Sequence, residues 1–260
     1  MRHGAPPKTL VQSVTRSLDL LEALAAAGEL GLVDLAKRTG LQPSTAHRLL
    51  ATLAERGYTL QGESGRYLLG YKILELASFV NARTTHLRAL ARPYLASVQR
   101  ITRETTTLSV LEPPNVVFLD QVEGTHSVRM FTQVGLGVPA HTSASGKVIL
   151  AFQPAEVLAE FYAGGLEKIT ARTIATRKEL DAELARIRRR GYATDNEEHE
   201  EGVSCVAAPI FGFEGEVRAA ISVSAPTQRV HSADTAELGE LLTGRATEIS
   251  VALGHTARDG

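Results

Sequence analysis

Residues 41–53, with the sequence LQPSTAHRLLATL, decide how the first part of this chain folds. They predict a short helix with two different faces. Pro43 suits the first helical turn, because the N–H that proline lacks would have no helical partner there. The apolar positions follow the i, i+3, i+4, i+7 spacing of a buried stripe, and they are Ala46, Leu49, Leu50 and Leu53.

The opposite face of this helix carries small or hydrogen-bonding side chains and is nearly free of carboxylates. Its members are Ser44, His47, Arg48 and Ala51, with Thr45 and Thr52 at the edges. A face that only meets water more often mixes Glu with Lys, whereas a face that lies against phosphates and base edges has this composition. From this stretch alone, an ordinary surface helix and a DNA-reading helix both stay open.

The residues before this stretch favour the second interpretation. Apolar periodicity predicts a first helix from about residue 11 to 27, which Gly28 is well placed to end. A second helix is predicted over about residues 33–39. Gly40 then joins the second helix to the third through a tight turn, which is the helix-turn-helix arrangement.

The residues after it predict a small hairpin. Two short apolar runs, residues 58–60 and 66–69, flank a Gly-containing loop. Such a pair of strands after three helices is the wing of a winged helix. From this wing, Arg66 and Tyr67 are expected to reach backbone phosphate or the minor groove.

Length and composition set the wider limits. A chain of 260 residues is expected to form two domains. Residues 1–86 carry ten Lys or Arg and seven Asp or Glu, against 18 and 22 in the remainder, so a mildly basic front part is compatible with nucleic acid. The single cysteine, Cys205, excludes a disulfide framework and a Cys-rich zinc site. Neither a signal peptide nor a membrane-spanning run is visible, so a cytoplasmic protein without a membrane partner is expected.

The rest of the chain alternates helical and strand patterns. Helices are expected over about residues 71–85, 87–104, 148–152, 154–163, 177–190 and 232–253. Strands are expected over about residues 105–111, 116–122, 127–134, 202–211 and 217–224. Helices packed on an antiparallel sheet indicate an α+β domain of the sensor type.

No diagnostic catalytic or metal motif is found in this part. The loop over residues 137–147 fails as a phosphate loop, because His141 occupies the first glycine position and Val148 follows the lysine. A Cys/His/Asp nucleophilic set or a metal site is conceivable from His141, Asp195, His199 and Cys205. Their spacing matches neither kind of site. We therefore predict no catalytic residue, no metal and no cofactor.

Several motifs resemble those of the IclR-type bacterial transcriptional regulators. They are Ser17-Leu18-Asp19-Leu20-Leu21, Leu35-Ala36-Lys37-Arg38-Thr39-Gly40-Leu41, Ser44-Thr45-Ala46-His47-Arg48-Leu49-Leu50, Gly65-Arg66-Tyr67-Leu68-Leu69-Gly70, the stretch from Gly191 to Pro209, and Ala219-Ala220-Ile221-Ser222-Val223-Ser224-Ala225-Pro226. The resemblance covers about residues 11–254. One departure is Val33, which stands where such regulators often place a Ser or Thr helix cap.

The resemblance implies an α+β protein with four segments. A leader (1–10) precedes an N-terminal winged helix-turn-helix DNA-binding domain (11–70), and a linker helix (71–86) joins this to a GAF-like α/β effector-binding domain (87–255). The residues expected to bind DNA are Ser44, Thr45, His47, Arg48, Thr52, Arg66 and Tyr67. The residues expected to bind the effector are Val138, Ala144, Ser145, Gly146, Asp195, Val203, Cys205, Ser222 and Ser224.

The sequence thus predicts a regulator whose affinity for double-stranded operator DNA is controlled by a small organic effector, acting as a homodimer or a dimer of dimers. As a hypothesis, the effector's carboxylate sits on the N–H groups of Ala144 to Gly146 while Asp195 accepts a donor at the other end. Two alternatives from other classes are an enzyme with an accessory winged helix and a binding module with no DNA role.

Overall fold

The computed structural model describes residues 10–130, 132–232 and 235–256, and the chain divides into two compact units between Arg83 and Thr84. The predicted leader, residues 1–10, lies outside the described residues apart from Leu10. The elements of the first unit are α1 (Gln12–Ala27), β1 (Glu29–Leu30), α2 (Leu32–Arg38), α3 (Pro43–Glu55), β2 (Thr59–Gln61) and β3 (Tyr67–Leu69).

Three helices and a small antiparallel sheet, in the order β1-β3-β2, enclose the core of the first unit. The side chains buried there are Leu20, Leu24, Leu30, Leu35, Ala36, Ala46, Leu50 and Tyr67. Gly40 has φ +65° between α2 and α3, a conformation that few other residues adopt readily. The predicted helix-turn-helix and hairpin are confirmed. Strand β1 was not predicted, because two residues are too short to show a periodicity.

A single long helix, α4 (Lys72–Thr102), begins in the first unit and continues into the second. The sequence predicted two helices with a break near His86, and this is wrong. Residues 84–86 are Thr-Thr-His, which are poor helix formers but not helix breakers. Even Pro93 lies inside the helix rather than at an end.

The second unit is built on a six-stranded antiparallel sheet in the order β6-β5-β4-β9-β8-β7. Its strands are β4 (Thr105–Glu112), β5 (Asn115–Val122), β6 (Gly137–Pro139), β7 (Ala193–Asn196), β8 (Val203–Phe211) and β9 (Val217–Pro226). The fold is therefore α+β, as predicted.

A strand predicted over residues 127–134 is wrong. Residues 127–130 and 132–134 form no strand; Phe131 lies outside the described residues. Two carbonyl groups of this stretch accept hydrogen bonds from side chains instead of from a neighbouring strand. Thr105 Oγ1 donates to the carbonyl of Met130 (2.7 Å), and Arg229 donates to that of Val128 (2.8 Å).

Helices cover both faces of the large sheet. One face packs against α4 and α9 (Thr235–Ala252), around Leu95, Leu108 and Ile221. The other packs against α5 (Ala144–Leu150) and α7 (Arg177–Arg190), around Val148 and Leu184. The remaining helices are a 3-10 turn (Ala140–Thr142), α6 (Ala155–Ala163) and α8 (Thr227–Ser232). Among the described helices, none is long and apolar enough to cross a membrane.

Candidate functional site

Helix α3 presents the polar face that its sequence predicts. Ala46 and Leu50 are buried on the core side. On the other side, the exposed residues are Ser44, His47, Arg48, Ala51 and Thr52, while Thr45 is half-buried. Pro43 is the first residue of the helix. The exposed face therefore offers hydroxyl, imidazole and guanidinium groups without a carboxylate until the last turn.

On the hairpin, Arg66 is partly exposed whereas Tyr67 is buried. The guanidinium of Arg66 pairs with the carboxylate of Glu29 (3.2 Å) and donates to the carbonyl of the same residue (3.2 Å). Tyr67 is only 6% exposed and lies opposite Leu30 in the sheet. The prediction that Tyr67 contacts DNA is thus corrected, because its side chain belongs to the core.

In the second unit, a cavity of about 130 Å³ opens beside β7 and β8. We call it the Asp195 cavity. Five of the nine predicted effector residues line it, namely Val138, Asp195, Val203, Cys205 and Ser224. The strand register explains part of this grouping, since Asp195 lies opposite Cys205 and Cys205 lies opposite Ser224. Three polar side chains from three neighbouring strands therefore form one row.

The cavity also has lining residues that the sequence did not predict. They are Phe118, Met130, Thr132, Leu136, Ser143, His199 and Glu200. Most of these lie on β5, before β6 or in the loop between β7 and β8. The conformation of the loops decides which of their residues cover the sheet. The periodicity of the sequence does not predict that conformation. Helix capping was a usable signal for one of them, since Ser143 immediately precedes α5.

Four predicted effector residues do not line the cavity. Ala144, Ser145 and Gly146 are buried in α5. The N–H of Gly146 already donates to Ser143 Oγ (3.0 Å), so it is not free to hold a carboxylate. Ser222 is 2% exposed, and its hydroxyl pairs with that of Thr107 (2.6 Å). Ser143, the N-cap residue just before this predicted turn, does line the cavity.

A buried charged network stands behind the cavity. Lys147 is 1% exposed and pairs with both carboxylate oxygens of Glu198. The backbone N–H of Glu198 donates to Asp195 Oδ1 (2.8 Å). Burial raises the pKa of Asp195 to about 7, although Lys147 and the Glu198 N–H both lower it. Around neutral pH, this carboxyl group therefore exists in both protonation states.

The geometry argues against a reactive cysteine in this cavity. The thiol of Cys205 donates to Ser224 Oγ (3.1 Å), and burial together with the nearby Asp195 raises its pKa. A nucleophilic thiol needs a lowered pKa instead. His199 pairs with the hydroxyl of Thr142 (3.1 Å), and His141 with the carbonyl of Glu167 (2.8 Å). In the part of the chain that the structure describes, no three His, Cys, Asp or Glu side chains cluster as a metal site would require.

A larger cavity, about 470 Å³, lies on the other face of the sheet between α4 and α9. Its buried carboxylate, Glu104, is already bound through both oxygens by Arg229, and His126 lies 3.4 Å from it. A ligand site requires polar groups that are available to form hydrogen bonds with the ligand. We therefore take the smaller Asp195 cavity as the candidate effector site.

Two family models match the chain in sequence. The model of the IclR helix-turn-helix domain matches residues 13–62, and the model of the bacterial transcriptional regulator IclR C-terminal domain matches residues 80–251. The chain belongs to the IclR family. The predicted resemblance and the predicted fold class are both confirmed.

Curated IclR-family relatives match over almost the whole chain. The HTH-type transcriptional regulator XynR of Escherichia coli is 38% identical over 95% of this chain and 99% of its own length. The transcriptional repressor IclR of the same organism is 36% identical over 96% and 93%. Because these relatives are named as regulators, the comparison agrees with the prediction that the chain is not an enzyme.

Solved structures of the family give the same picture. The Thermotoga maritima IclR has a TM-score of 0.72 at 33% identity, covering 94% of this chain and 99% of its own. An IclR homolog from Microbacterium hydrocarbonoxydans, complexed with 4-hydroxybenzoate, has a TM-score of 0.77 at 30% identity, covering 93% and 98%. The chain is thus a DNA-binding transcriptional regulator of this family.

Proposed function

We propose that this regulator reads its operator with α3, through Ser44, Thr45, His47, Arg48 and Thr52. The observation that carries the proposal is the exposed polar face of α3, which has no carboxylate before Glu55 at the end of the helix. Arg48 is our choice for base readout, because two parallel hydrogen bonds from Arg to guanine are the commonest specific contact. Arg66, on the hairpin, stays a candidate for a phosphate contact if its pairing with Glu29 opens.

Replacing Arg48 by Ala tests this proposal. Discrimination between the cognate operator and a scrambled duplex should fall by about 1–3 kcal/mol, because one base contact is lost. The measurement is a gel-shift titration at fixed salt, since salt alone changes affinity. Arg56→Ala is the matched control, because Arg56 is exposed but follows the last residue of α3. Equal discrimination by the wild type and Arg48→Ala would refute the assignment.

We further propose that a small organic acid in the Asp195 cavity controls operator affinity. The cavity combines apolar walls with converging polar groups, as small-molecule sites do. Two hydroxyl groups suit a carboxylate. Ser143 Oγ accepts from Gly146 and Ser224 Oγ accepts from Cys205, so each hydroxyl keeps its own hydrogen to donate. The complex of the Microbacterium homolog with 4-hydroxybenzoate supports this class of ligand.

Control of DNA binding then follows from linkage. An effector changes operator affinity only if it binds the DNA-competent and DNA-incompetent forms of the protein with different affinity. We propose a homodimer, or a dimer of dimers, that acts in the cytoplasm on paired half-sites about 34–36 Å apart or a multiple of this. Isothermal titration of Ser224→Ala with 4-hydroxybenzoate tests the site. Unchanged affinity relative to a binding wild type would contradict it.

A further inference from the structure

The Asp195 cavity is acidic on its inner surface. Asp195 and Glu200 line it, and among the described lining residues there is no Lys or Arg. The one described lining residue that could carry a positive charge is therefore His199. Burial lowers the pKa of His199, in spite of Glu200 nearby, so the imidazole is neutral at pH 7. An anionic effector would therefore meet negative charge and no cation.

Lys147 does not supply the missing positive charge. It is 1% exposed, it is not among the lining residues, and its ammonium group contacts both oxygens of Glu198. Its positive charge lowers the pKa of Asp195, but burial outweighs this effect. Withdrawing the ammonium group toward a ligand would leave the Glu198 carboxylate buried without its counter-ion, which is costly.

When Asp195 is ionised, the groups around it do not supply an unpaired positive charge. From α5 it meets Lys147, whose ammonium group is paired with Glu198. From the β7–β8 loop it meets Glu198 itself, the neutral His199 and the exposed Glu200. From β8 it meets the thiol of Cys205, which is uncharged at neutral pH. The 3-10 turn contributes His141, which is near enough to lower the pKa of His199 and pairs with a backbone carbonyl.

We propose that the cavity binds an organic anion together with one proton, which Asp195 takes up from solvent. This inference rests on the organic-acid effector proposed above. Two like charges in one buried site cannot both persist, so the second charge drives protonation of the first. Oδ1 of Asp195 accepts from the Glu198 N–H, so Oδ2 receives the proton. The protonated carboxyl then donates to the effector's carboxylate, and the repulsion becomes a hydrogen bond.

Isothermal titration with 4-hydroxybenzoate in two buffers of different ionisation enthalpy tests the proton count directly on the wild type. We expect about one proton taken up per ligand at pH 8, and affinity that falls about tenfold per pH unit above pH 8. The uncharged 4-hydroxybenzamide should show neither effect. Binding of the acid without proton uptake would overturn the proposal.

Two variants with the same chemical change assign the proton to a residue. Asp195→Asn should abolish both the proton uptake and the pH dependence. Glu200→Gln, which also turns a lining carboxylate into an amide, should keep both. Proton uptake that survives in Asp195→Asn, or disappears in Glu200→Gln, would place the proton elsewhere and contradict the assignment.

A second measurement needs no ligand. Cys205 is the sole cysteine of the chain and lines the cavity beside Asp195, so its alkylation by iodoacetamide reports the nearby charge. At pH 6 the wild type and Asp195→Asn should react at equal rates. At pH 8.5 the wild type should react several-fold more slowly, because an ionised Asp195 disfavours the thiolate. Equal rates throughout would overturn the proposal. If neither 4-hydroxybenzoate nor 4-hydroxybenzamide binds, the proposed organic-acid effector is contradicted. The pH dependence of the Cys205 alkylation rate then decides by itself whether Asp195 is protonated.

Discussion

A buried acidic side chain makes the stability of a protein depend on pH, and Asp195 is such a residue. It is 3% exposed, and burial raises its pKa from about 3.8 to about 7. The folded state therefore holds this proton more tightly than the unfolded chain does. The resulting stabilisation is complete below about pH 4, the region of the unfolded pKa, and is lost as the pH rises through about 7.

Asp195→Asn should remove this pH dependence. Between about pH 4.5 and 7.5 the free energy of unfolding of the wild type should fall by roughly 3 kcal/mol relative to the variant, which is most of the effect of the pKa shift because this range begins above the unfolded pKa. Urea unfolding at a series of pH values measures the difference. Glu200→Gln is the control, since Glu200 is exposed. Parallel curves for the wild type and Asp195→Asn would contradict the expectation.

At the level of single residues, the sequence predicted chemistry better than orientation. Tyr67 has a hydroxyl group that suits DNA, yet its register opposite Leu30 turns it into the core. Ser222 shares a sheet face with Ser224, but only Ser224 reaches the cavity, because Ser222 is covered and bonded to Thr107. The alternation along a strand predicts the face on which a side chain lies. It does not predict which other elements pack over that side chain and bury it.

Helix α5 and the 3-10 turn before it approach each other closely. A Cβ atom on Gly146 would lie 2.1 Å from the carbonyl oxygen of Ala140. The glycine is therefore required by close packing, which explains why it is buried without lining the cavity. This contact also fixes where Ser143 stands, because Ser143 caps the helix through the N–H of Gly146.

Two helical glycines of the second unit should respond in opposite ways to Ala. Gly146→Ala should destabilise the protein by about 1–3 kcal/mol or more, because the new methyl group overlaps backbone that cannot move freely. Gly244→Ala, in α9, meets nothing within 4 Å and should stabilise by up to about 1 kcal/mol, because Ala favours the helix. Thermal unfolding measures both changes. A neutral Gly146→Ala would show that the turn shifts easily.

Elements with a strong local signal were predicted well. Helix α7 runs from Arg177 to Arg190 as the sequence indicates, with Thr176 as N-cap and Gly191 in the left-handed conformation at its end. The elements that failed depend on distant partners. The two-residue β1 exists because β3 pairs with it. Residues 127–130 and 132–134 form no strand, and the carbonyl groups of Val128 and Met130 accept from side chains instead.

On the scale of the molecule, two helices expose apolar side chains in the first unit. On and just before α1 these are Leu10, Val14 and Leu18, at 67%, 56% and 52% exposure. On α4 they include Leu76 and Phe79, at 43% and 65%. Exposed apolar residues repeated along one helix face are typical of a surface that another chain covers. They support the proposed homodimer.

Phe79→Glu should weaken that dimer at least tenfold, or about 1.4 kcal/mol, because a carboxylate would be buried in an apolar interface. Sedimentation velocity over a range of concentrations measures the dissociation constant. Phe213→Glu is the control, because Phe213 is 77% exposed in the loop between β8 and β9 of the second unit. A monomeric wild type, or equal weakening by both substitutions, would contradict the proposed surface.

The strand order of the large sheet also has a consequence for how the chain folds. Strands β4 and β5 are neighbours in sequence and in space, and so are β7, β8 and β9. The two groups meet only through the pairing of β4 with β9, in which Thr107 and Ser222 are 115 residues apart. Closing so long a loop lowers the chain entropy before the pairing of the two strands can stabilise it. We therefore expect the hairpins to form before β4 pairs with β9, and the Asp195 cavity, which needs residues from both groups, to be completed after that pairing.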